Sequence, residues 1–120
     1  MNDLRLARNA MLAALLAACS SPAPQQRVDD AELAAMAPLK RQYAGVVMGF
    51  EVRPQSTLVV SVDLQQYIET DDDTIAAMKR DALASWRSAW VAAHPHARAV
   101  LHVRFIDFIG RRVAAESTKV

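Results

Sequence analysis

Three histidines offer the most versatile chemistry in this 120-residue chain. His94 and His96 flank Pro95, and His102 follows shortly after. Two imidazoles two positions apart in an extended segment can point the same way and share a Zn²⁺ or Cu²⁺ ion. His102 or an acid would complete such a site. A plainer account is also open. His94 falls at the end of a helix, where a cation is favoured, Pro95 stops that helix, and His96 is then loop surface. His102 alternates onto the side opposite Leu101 and Val103, where water can solvate it. A protein without a cofactor is the leading expectation, and metal binding through His94, His96 and His102 is the alternative.

The run Asp71-Asp72-Asp73 lacks the alternating spacing and the closing glutamate of a calcium loop, and capping of a helix explains it fully. Trp86 and Trp90 lie one helical turn apart. Trp86 falls mid-face and reads as core. Trp90 falls toward the edge, where it is half exposed and could meet a cell-wall glycan or a small apolar ligand. No nucleophile stands at motif spacing from a base. Beyond residue 18 the only glycines are Gly45, Gly49 and Gly110, so no phosphate-cradling loop exists. Asp63, Glu69 and Asp107 have no context that pairs them as acid and base. The expectation is a protein that is not an enzyme.

The single cysteine points to location. Arg5 and Arg8 precede Ala10–Ala18, an unbroken apolar stretch much shorter than the roughly 20 residues of a membrane-spanning helix. The stretch has the length of a secretory signal core. Its end, Leu16-Ala17-Ala18-Cys19, resembles the lipobox of bacterial lipoproteins position for position. The resemblance covers about the first twenty-one residues. It implies alkylation of the Cys19 thiol by a diacylglycerol group, cleavage by signal peptidase II between Ala18 and Cys19, and acylation of the new amine. Each buried methylene contributes about 0.8 kcal/mol, so two or more chains hold the protein firmly at a membrane. Ser20 stands where lipoproteins retained at the inner membrane carry Asp, which favours the periplasmic face of an outer membrane. The anchor also consumes the only thiol, leaving no disulfide.

On this reading residues 1–18 are a signal peptide, 19–28 are the lipidated cysteine and a flexible linker, and 29–120 form one domain. Cleavage removes Arg5, Arg8 and Asp3, leaving twelve basic and twelve acidic residues. A near-neutral chain with no basic stripe is a poor partner for nucleic acid. About a hundred residues suffice for a single core.

Asp29–Gln42 reads as a helix interrupted at Pro38. Val46–Val52 and Thr57–Leu64 alternate with a period of two and flank the turn Arg53-Pro54-Gln55-Ser56, which makes a hairpin. Thr70 to about Ala93 is a long amphipathic helix with Ile75, Met78, Ala82, Trp86, Ala89 and Ala93 on one face. Ala97–Phe108 and Arg111–Thr118 form a second hairpin around Gly110. The fold class is α+β: a four-stranded antiparallel sheet from two hairpins, a long helix on one face and a short N-terminal helix.

The sheet face away from the long helix mixes Val47, Val59, Val100, Ile106 and Phe108 with Glu51, Asp63, His102 and Arg104. Mixed patches of this kind mark interaction sites. Glu51, Val100, His102, Arg104, Ile106 and Phe108, with Trp90, are the candidate surface for an envelope protein partner, unless the first helix covers it. The chain end Thr118-Lys119-Val120 could extend an edge strand for β-addition.

Overall fold

The computed structural model describes residues 23–120. The expected signal peptide, the expected cleavage point at Ala18 and the expected lipidation at Cys19 lie outside the described residues. Eight elements follow in order: α1 (Pro24–Ala34), α2 (Ala37–Gln42), β1 (Val47–Arg53), β2 (Thr57–Val62), α3 (Leu64–Glu69), α4 (Asp72–Ala93), β3 (Val100–Ile106) and β4 (Arg112–Lys119).

The N-terminal helix starts earlier than the expected Asp29. Pro24 sits in its first turn, where a missing N–H costs nothing and a fixed φ suits the helix. Residues 24–28, expected to be linker, are therefore helical. The chain breaks at Ala35–Met36 rather than at Pro38, because Pro38 occupies the first turn of the new helix α2. A short helix, α3, also appears where the second strand was expected to continue through Leu64. Asp63 ends the strand by capping α3, its carboxylate accepting from Gln66 N at 2.9 Å. Asp71 caps α4 in the same way, accepting from the backbone N–H of Thr74 at 3.0 Å and from the Thr74 hydroxyl at 2.7 Å.

The strands form one sheet in the order β1-β2-β3-β4. Both hairpins are antiparallel as expected. The central pair is not: β2 and β3 run parallel, with Leu58 beside Val103 and Val60 beside Phe105. The 22-residue helix α4 explains the difference. A chain that leaves one strand and runs back the length of the sheet as a helix re-enters in the original direction. The architecture is α+β with a mixed four-stranded sheet.

One apolar cluster holds these parts together. Leu58, Val60 and Val62 from β2 and Leu101, Val103 and Phe105 from β3 meet Met78, Ala82, Trp86 and Trp90 from α4. Met36, Leu39 and Tyr43 join the same cluster, so α1 and α2 pack on the α4 side of the sheet. Tyr43 ties them to α4, its hydroxyl donating to Asp81 Oδ2 at 2.5 Å. Burial and that carboxylate push the phenol pKa up to about 12. The opposite sheet face carries no helix among the described residues.

The β1–β2 turn stores backbone strain. Gln55 and Ser56 both have positive φ, 65° and 53°, a region that disfavours side chains with a Cβ. The buried Trp86 indole donates to Ser56 O at 3.1 Å and holds the turn against the core.

Candidate functional site

Register assigns the faces. On the open side the rows across the sheet are Glu51–Val59–Arg104–Ala115, Arg53–Thr57–His102–Ser117 and Gly49–Ser61–Ile106, with Arg112 beside Ile106 and Lys119 beside Val100. Five expected surface residues thus do share one face: Glu51, Val100, His102, Arg104 and Ile106. Val59 is buried on this side, outside the core cluster, between two long charged side chains that can cover it while keeping their charges wet. His102 shares a hydrogen bond with Ser117 Oγ across the hairpin at 3.0 Å.

Charge on this face is one-sided. Arg53, Arg104, Arg112 and Lys119 face a single acid, Glu51, which pairs with Arg53 at 3.0 Å. The near-neutral mature sequence therefore hides a local excess of positive charge, which register concentrates on the open face.

Other expected members lie elsewhere. Val47 belongs to the core, because the ladder shifts register between Val47 and Gly49 and turns it toward α4. Asp63 is the α3 cap. Trp90 is 6 % exposed and is part of the core rather than of an exposed surface. Helix α1, packed along α4, closes over the flank that was expected to be half open.

Phe108 lies beyond the strand end, 90 % exposed. It sits in the tight turn between β3 and β4, which Asp107 builds from beneath. The Asp107 carboxylate is buried and accepts from Ile109 N at 3.1 Å, Arg111 N at 2.9 Å and Arg111 Nε at 3.0 Å. Gly110 supplies the required positive φ of 85°. A well-fixed turn thus presents Phe108 and Ile109 to solvent. Met48 from the start of β1 and Ile68 from α3 are exposed at the same end of the sheet. Met48, Leu64, Ile68 and Phe108 line an open groove of about 690 Å³. Exposed large apolar residues gathered at one end are a feature of docking surfaces.

The histidines do not converge. His94 closes α4, its ring stacked on Trp90 with centroids 4.5 Å apart and Nδ1 3.0 Å from Trp90 O. His96 is exposed, with φ of 64°. His102 stands on the open face. Among the described residues no three His, Cys, Asp or Glu side chains gather as metal ligands.

A second feature escaped sequence reasoning. Glu32 is 2 % exposed, and its Oε2 has no hydrogen-bond partner. It lines a cleft of about 420 Å³ at the β1–β2 turn end of the sheet, with Asp29, Trp86, Trp90 and His94. Burial raises the Glu32 pKa, His94 opposes that shift and Asp29 adds to it.

No family model, curated protein or solved structure matches the chain.

Proposed function

We propose that this chain is a lipid-anchored cell-envelope protein without enzymatic activity, an accessory subunit that binds another envelope protein. The lipobox-like Leu16-Ala17-Ala18-Cys19 supports the anchor at Cys19, with the periplasmic face of an outer membrane favoured by Ser20. No described helix is long and apolar enough to cross a membrane, so attachment on this reading falls to the lipid.

The observation that carries the docking claim is the adjacency of the basic open face to the apolar sheet end. Ile106 ends the row of open-face residues on β3, and Phe108 follows two positions later in the turn. Together they present arginines, a lysine and a fixed aromatic anchor, which is the make-up of an interface core with a charged rim. Such a surface fits a partner with an acidic rim around an apolar pocket.

The proposed tether joins the domain at the sheet end opposite that surface. Residues 20–23 separate Cys19 from α1, and the reach from Cys19 to Pro24 is at most about 17 Å. Gln25, near the start of α1, lines the same cleft as Arg53–Ser56, at the sheet end opposite Phe108. On this reading Phe108 and its neighbours lie at the end of the domain farther from the anchor, free to meet a protein. Charge reversal at Arg104 and truncation of Phe108 to Ala, singly and together, test the reading by co-purification from crosslinked envelopes. The reading predicts that an identified partner is lost from the variants. Unchanged recovery in the double variant overturns it.

A further inference from the structure

The Glu32 cleft lies apart from the proposed docking surface, at the opposite end of the sheet, and its chemistry is different. A carboxylate oxygen with no donor is unusual in a buried position, because removing it from water without a partner is costly. Among the described residues no cation pairs with it. Arg53 reaches the cleft wall, yet its guanidinium pairs with Glu51 on the open face. His94 is held by stacking on Trp90 and by its contact with the Trp90 carbonyl. A second carboxylate, Asp29, lines the cleft, one of its oxygens accepting from Gln25. Trp86 and Trp90, both packed in the core, also line the cleft and keep it partly dry.

From this combination we infer that the cleft binds a small aliphatic primary ammonium group, which donates to Glu32 Oε2 with the Asp29 carboxylate beside it. The volume of about 420 Å³ lies at the small end of the range for ligand pockets, enough for a short amine and its alkyl stem. The charged head would supply the donor that Glu32 lacks, and the stem would fill the rest of the cleft.

Trp86 and Trp90 are the only tryptophans, so their two indole N–H resonances report on the cleft alone. The test titrates the full chain, held in detergent, with 1,5-diaminopentane and, separately, with the neutral 1,5-pentanediol. The diamine should shift the indole resonances saturably, and the diol should not. Affinity should weaken about tenfold in Glu32→Gln, a loss near 1.4 kcal/mol. In the wild-type protein it should also weaken as pH falls and Glu32 takes a proton, which burial makes it do above its ordinary 4.5. The pH series needs no variant, so it decides the question even if Glu32→Gln folds poorly. Equal response to diamine and diol, or diamine affinity that does not change across the pH series, overturns the assignment.

Discussion

Arg111 Nε donates to Asp107 Oδ2 at 3.0 Å, and the backbone N–H of the same arginine donates to Oδ1 at 2.9 Å. The pair closes the β3–β4 turn with the buried acid beneath and the exposed Phe108 above. Five residues of sequence, Asp107 to Arg111, therefore build both a support and the feature it displays. A turn backbone held in place before binding loses little freedom on docking, which favours affinity.

Replacing Asp107 by Ala should loosen this turn. Burial opposes ionisation of Asp107, but the donors from Arg111 and Ile109 outweigh it and hold its pKa below the ordinary 3.8. The folded value is depressed, so the stabilisation is fully present above the unfolded value and is lost as pH falls through the folded one. Thermal melting of Asp107→Ala at neutral pH should fall more than that of Asp72→Ala in the first turn of α4. The gap between wild type and Asp107→Ala should close in strong acid.

Glu32 behaves in the opposite sense. Its folded pKa is raised above 4.5, mainly by burial, so folding is favoured when it is protonated. Stability from this group is complete below the unfolded value and declines as pH rises through the folded one. Glu32→Met should stabilise the protein by about 1–3 kcal/mol at neutral pH, because no buried acceptor is left unpaired. That gain should shrink toward zero near pH 4, as chemical denaturation at the two pH values would record.

The strained β1–β2 turn gives a paired prediction. Trp86→Phe removes the donor to Ser56 O and part of a fully buried ring, and should cost about 1–3 kcal/mol. Ser56→Gly removes the Cβ from a residue at φ 53° and should gain up to about 1 kcal/mol. Equilibrium unfolding of both variants checks the sign of each.

Cys19→Ser should leave the protein without lipid. Intact-mass measurement should show no diacylglycerol adduct, and the variant should move from the membrane fraction to the soluble fraction. Cys19→Ser protein that remains with the membrane would assign the attachment to another part of the chain.

Much of the fold was legible because its signals are local. The alternation through Val60, Val62, Leu101, Val103 and Phe105 marks strands, and the Asp71 cap marks the start of α4. The direction of β3 relative to β2 is not local. It depends on whether α4 runs the length of the sheet, which strand periodicity does not encode. Helix α3 was hidden because Leu64 continues the apolar alternation of β2, while six residues are too few to show a helical period. Glu32 escaped notice for a related reason. A helix start at Asp29 puts it in the first turn, whereas the start at Pro24 places it near the end of α1, where it is buried. Trp90 shares a face with Trp86 at helical spacing, and its burial was decided by α1 packing from a distant part of the chain. The residues of the open face were legible individually, but their joint positive charge emerged only from the register of four strands.

The most direct test is photocrosslinking in living cells from three positions: Phe108 at the apolar end, Arg104 on the open face and Val91 on the exposed side of α4. The docking account predicts that Phe108 and Arg104 capture the same envelope protein and that Val91 does not. Identical capture from all three positions, or capture from Val91 alone, would contradict it.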